Sequence, residues 1–158
     1  MTLVDLARTL PWGLHDAYLE DLAVDWLHAR LTLTLRLMMS EHQDMDQRAR
    51  ITVEGLVFCS IEPPEIDVAK GYEPIPEGGL QISDGPGAEG DSASRLPATP
   101  EGCFLHWLFV QRWNRFIHIC GRHALLAWLE PLPVASRAET RALFPGEEIP
   151  DPNSPGSA

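Results

Sequence analysis

The chain has 158 residues, 44% of them apolar and 22% charged, which is enough for one packed domain and hardly enough for two. Its formal net charge of −11 disfavours nucleic-acid binding, because an acidic body repels phosphate backbones. No run of about 18 apolar residues occurs, which excludes a membrane-spanning helix.

The N-terminal stretch carries Asp5 and Arg8 and lacks both a basic n-region and an h-region, so it does not read as a signal peptide. Three cysteines, Cys59, Cys103 and Cys120, are an odd count without framework spacing. They suit reduced thiols and, with the missing leader, point to the cytoplasm. Thirteen acidic residues lie between Glu41 and Glu101 against only Arg48, Arg50, Lys70 and Arg95. Such a charge distribution favours solubility and attracts basic protein partners.

In chain order, Thr2 caps a short helix with Asp5 three positions later, running to about Leu10 before Pro11 and Gly13 end it. Residues 18–27 fit two patterns. Leu19, Leu22, Ala23, Trp26 and Leu27 make a helical stripe; as a strand, Tyr18, Leu22, Val24 and Trp26 share a face and Glu20 is the misfit. Residues 30–39 are unambiguous. Leu31, Leu33, Leu35, Leu37 and Met39 alternate with Thr32, Thr34, Arg36 and Met38, the period of a half-buried strand. A short link at 27–29 makes a hairpin with the preceding segment.

Residues 40–47 read as a loop and 48–61 as the next strand. There Ile51 and Val53 share a face, Gly55 allows a bulge, and the apolar run 56–59 suits a strand covered on both sides. Seven prolines and seven glycines fall within 62–102. A short strand around 80–82 is expected there. After it, 83–100 offers so little to bury that it reads as a mobile loop. Residues 103–111 are apolar on both faces, as in a central strand. Residues 112–115 read as a turn, 116–121 as the returning strand, and 124–129 as a further strand. Residues 136–143 suit a surface helix.

Four motifs invite chemistry. Cys103-x-x-His106 and Cys120-x-x-His123 resemble a zinc knuckle on paper. In strands, however, positions three apart diverge. A hairpin turning near Trp113 and Asn114 sets Cys120 opposite Trp107 or Leu108, and leaves Cys103 roughly 13 Å away at strand rise. Buried structural thiols are the reading preferred. His15 and Asp16 resemble the metal-binding pair of helical phosphohydrolases, but one dipeptide cannot fill a coordination sphere. They read better as a corner in which Asp16 accepts backbone N–H groups and His15 packs beside it. Six of the twelve aromatics fall between Phe104 and Trp128. Of these, Trp113, beside Asn114, Arg112 and Arg115, is the one a turn would expose, as in a binding hot spot; the alternative, which is preferred, is that it packs against the rim of the sheet, because Trp is rarely left bare. The paired glycines at 78–79 and those at 85 and 87 have no following helix, so no phosphate cradle and no cofactor is read.

Leu14, His15, Asp16 and Ala17, followed by Leu19, Leu22, Val24, Asp25, a turn and the alternation at 31–35, resemble the opening of small bacterial β-rich proteins. These begin with the same His-Asp-Ala corner, and some are assigned as immunity proteins of polymorphic toxin systems. The Val53, Glu54, Gly55 sequence and the apolar hairpin at 104–120 are similar to their later pattern; the long Pro/Gly loop and its acidic excess depart from it. The resemblance covers about 14–61 and, more loosely, 104–129. It implies that 18–26 is a strand.

These readings give one mainly β domain (β-rich α+β) over 1–144. It is an antiparallel sandwich or half-open barrel of six or seven strands with a short N-terminal helix, a flexible Pro/Gly-rich insertion at about 83–100, and a disordered tail at 145–158. The function read is a non-catalytic protein-binding module. The resemblance implies a toxin-neutralising immunity protein whose acidic surface steers a basic toxin domain. Candidate binding residues are Trp113, Asn114 and Arg115, with His15 and Asp16. No catalytic or metal-ligating residue is assigned. The alternatives are a metal-dependent or hydrolytic enzyme using His15 and Asp16 or the Cys/His positions, and a structural subunit of a homo-oligomer joined by strand edges or Trp113.

Overall fold

The computed structural model describes residues 1–39, 46–65 and 78–131. Among these it places one helix, α1 (Leu3–Thr9), and eight strands. They are β1 (Tyr18–Asp25), β2 (Arg30–Met38), β3 (Asp46–Glu54), β4 (Phe58–Ile61), β5 (Leu80–Pro86), β6 (Phe104–Val110), β7 (Arg115–Gly121) and β8 (His123–Trp128). The strands pair antiparallel in the order β4-β7-β6-β5-β1-β2-β3-β8. The sheet is open, with β4 and β8 as its edges, so the half-open arrangement applies and a closed barrel does not.

Local sequence explains each element. The Thr2 hydroxyl accepts from the Asp5 N–H while the Asp5 carboxylate accepts from the Thr2 N–H, a reciprocal cap that starts α1. In β2 the even spacing of leucines sends Leu31, Leu33, Leu35 and Leu37 fully into the core, each worth about 2 kcal/mol of burial. Their partners are Leu22 and Val24 on β1, and Ile51 and Val53 on β3.

β1 is a strand, as the resemblance implies, and Glu20 is its irregularity. The register with β2 slips between Leu19 and Asp21. This bulge lets buried Leu19 and the later Leu22 and Val24 share the core face although the first two are three positions apart. Two halves, β8-β3-β2-β1 and β5-β6-β7-β4, are joined by the pairs Tyr18 with Gln81 and Leu19 with Leu80, extended by the Ile82 N–H donating to the Ala17 carbonyl. Their inner rows join in one cluster with Leu3 and Leu6 of α1, which packs against β8, β5 and β6.

Several expectations are corrected. Residues 48–61 are not one bulged strand. Gly55, at φ +63, ends β3, and β4 joins the other half of the sheet beside β7. The apolar run at 56–59 therefore spans a corner and a short edge strand, which raises the strand count to eight. Asp46 and Gln47, read as loop, pair with Met38 and Leu37. Ser83 to Pro86, read as the start of a mobile loop, pair with β6. The remainder of 83–100 includes a 3-10 turn at Ala93–Arg95 and is tied by hydrogen bonds to β6, to β7 and to Glu62 just beyond β4. The turn of the β6–β7 hairpin occupies 111–114, one position earlier than the 112–115 read from sequence, so Cys120 lies opposite Leu105 rather than Trp107 or Leu108. The helix expected at 136–143 and the tail at 145–158 lie outside the described residues. Among the described residues no helix is long and apolar enough to cross a membrane.

Candidate functional site

The His15 and Asp16 corner is built by its flanks. Leu14 and Ala17 are fully buried, and the Ala17 N–H closes a turn onto the Leu14 carbonyl. Asp16 sits at φ +59, a left-handed conformation that Asp tolerates better than most residues. Its Oδ1 accepts from the Gln81 amide at 3.1 Å, so a side chain takes the place of the backbone donors expected. His15 lies beside it, with Nδ1 3.3 Å from Asp16 Oδ1, while its side chain stays 69% exposed. The corner opens on a cleft of about 480 Å³ where Asp16, Tyr18, Arg36 and Asp46 converge. Arg36 is already engaged there. Glu20, projecting from the β1 bulge, holds Arg36 Nε at 2.7 Å and Arg48 Nε at 2.9 Å.

Trp113 does not stand exposed. It is half-buried and packs against the core cluster. The turn that carries it ends at Asn114, at φ +50, and fastens the chain beyond β4. Asn114 Nδ2 donates to Glu65 at 2.8 Å, Arg115 Nε donates to the Pro63 carbonyl at 3.0 Å, and the Trp113 carbonyl accepts from the Glu65 N–H. Asn114 and Arg115 thus act on their own chain here.

The Cys/His positions do not converge. Strand parity sets His106 on the core face with Leu108 and Val110, where Nε2 meets Asp84 Oδ2 at 2.7 Å. Cys120 is on the opposite face, and His123 is exposed on β8. The observed register brings Cys103 and Cys120 nearer than the sequence suggests. Burial, followed by the neighbouring Cys103, pushes the Cys120 thiol up. Among the described residues no three His, Cys, Asp or Glu side chains group to hold a metal ion.

The feature that sequence reasoning missed is the tip between β1 and β2. Asp25 caps it: Oδ1 accepts from the His28 N–H at 3.2 Å, and Oδ2 meets His28 Nδ1 at 2.7 Å. The His28 contacts hold the Asp25 carboxyl below its ordinary range. Ala29, at φ +48, completes the turn and its carbonyl accepts from Leu56. This fixed frame thrusts Trp26 and Leu27 outward, 66% and 88% exposed, with Val57, 40% exposed, at the same end of the molecule. The strand pattern of 18–26 places Trp26 on one face of the strand, but β1 ends at Asp25. The signal available was Asp25 with His28 three positions on, an Asx-type turn whose two central residues are apolar.

No protein-family model matches the chain, and no curated protein matches it.

Proposed function

We propose that this protein is a non-catalytic protein-binding module and that the β1–β2 tip, Trp26 and Leu27, is its docking element. The observation that carries the reading is a tryptophan and a leucine held bare on a braced turn. Trp is seldom left exposed without use, and buried Trp anchors dominate interface energetics. A tip fixed by Asp25 and His28 loses little conformational entropy on docking, which favours affinity. The net charge of −11 supports a basic partner, since opposite fields steer encounter. With the resemblance of the Leu14 to Ala17 corner to immunity proteins, the partner class is a basic toxin domain, which the bound module occludes.

The test compares wild type with a Trp26→Ser, Leu27→Ser double variant in binding the basic proteins of the cells that make it. Wild type is expected to hold one basic protein in a salt-sensitive complex. The variant should bind it at least about thirtyfold more weakly, the loss for one anchor worth about 2 kcal/mol. Equal affinity in both, or an acidic partner, contradicts the proposal.

A further inference from the structure

On the side of β7 away from the core, the imidazole of His118 is fully buried. Its Nε2 accepts from the main-chain N–H of Glu89 at 3.2 Å. That bond fixes the proton of the neutral ring on Nδ1, because a protonated Nε2 would meet the Glu89 N–H donor to donor. Nδ1 is itself buried without a partner, as is Ser92 Oγ. Glu62, just beyond β4, ties down the same loop. Its Oε2 accepts from the Ser92 N–H at 3.3 Å and its Oε1 from the Phe116 N–H at 2.7 Å. The loop lies over aromatic rings. Gly90 sits against Phe116, which stacks on His118 at 6.0 Å and meets Trp107 edge-on at 5.6 Å.

We propose that the loop at 87–96 is an acid-released cover and that His118 is its latch. Protonation places a hydrogen on Nε2 and removes the acceptor that holds Glu89. The groups around His118 set the sign. Strand β4 presents Ser60 directly opposite it and Glu62 beyond; β6 presents Trp107. The loop presents the Glu89 N–H and Ser92, and β7 itself presents Phe116 and the thiol of Cys120, which burial keeps protonated. Glu62 is the charged member. Burial raises its pKa, but the bonds from Phe116 and Ser92 and the nearby His118 outweigh this and hold the carboxyl below the ordinary range. It therefore stays ionised as the pH falls towards the histidine range, and attracts the imidazolium that the Glu89 N–H repels. The Glu62 attraction opposes release, but a proton on Nε2 sets donor against donor with the Glu89 N–H, so acid favours opening, by at most about tenfold per pH unit for a single proton. Opening uncovers the face of Trp107 and Phe116.

Hydrogen exchange of the whole chain at about pH 7.5 and about pH 5, on either side of the ordinary histidine pKa, tests the latch. After correction for the intrinsic pH dependence of exchange, the Glu89 and Ser92 amides should lose at least about tenfold protection in acid, while the amides of β2 keep theirs. His118→Gln retains an acceptor for Glu89 but cannot titrate, and should hold the loop closed at both pH values. His106→Gln, the control for the other buried imidazole, should leave the loss in place. Unchanged protection in the wild type, or the same loss in His118→Gln, overturns the proposal. Should His118→Gln fail to fold, Glu62→Gln decides. Without the carboxylate, which attracts the imidazolium in the closed loop and ties down Ser92, the release should move to higher pH, and an unmoved release overturns the proposal.

Discussion

Glu20 is the residue that a period-two reading of β1 cannot place, and its position explains why. It projects from a bulge and neutralises Arg36 and Arg48, which stand directly opposite each other on β2 and β3. Like charges so paired repel unless something lies between them. Glu20→Ala should lower the unfolding free energy by about 1–2 kcal/mol, read by urea denaturation, with the loss shrinking at high salt. A different residue shows how burial acts on chemistry. Burial pushes the Cys59 thiol up from 9.0 to about 11. The folded state keeps the proton longer than the unfolded chain does, so this contribution to stability is intact below pH 9.0 and is lost between there and about 11. Iodoacetamide at about neutral pH should label Cys59 far more slowly in the folded protein than in urea, because the thiolate is the nucleophile. Equal rates would contradict the burial.

Among the elements, β2 was legible because its leucines alternate without exception and α1 because its cap is reciprocal, both local patterns. The bulge in β1, the break at Gly55 and the exact position of the β6–β7 turn were not. Each depends on which strand lies next door, and period-two alternation says nothing of neighbours. The junction of the two halves shows the same dependence. Gly79, at φ +91, runs so close to β1 that an added Cβ would lie 2.5 Å from the Leu19 carbonyl oxygen. Backbone there cannot yield as a flexible side chain would. Gly79→Ala should therefore cost more than about 2 kcal/mol, seen as a lowered urea midpoint with an unchanged slope. A neutral result would show that the seam at Tyr18 and Gln81 is more pliant than drawn.

For the molecule as a whole, the candidate site was the least legible part. Trp113 is a candidate because it sits in a turn beside arginines, yet that turn folds back on the segment after β4 and leaves its tryptophan half-buried against the core. Trp26 was passed over because it continues an apolar stripe, yet the stripe ends at Val24 and the tip beyond it faces solvent. Exposure depends on where a turn points relative to the whole body, and no local pattern carries that. The acidic balance was legible from composition alone, and it gives the docking reading its direction towards a basic partner. The most direct test places a photocrosslinking phenylalanine at position 27, an exposed site whose substitution should alter stability by less than about 0.5 kcal/mol. Irradiation in the cells that make the protein is expected to yield one adduct, to a basic protein, suppressed by Trp26→Ser. An absent adduct, or equal labelling from an exposed position on β8 such as Leu125, would contradict the account.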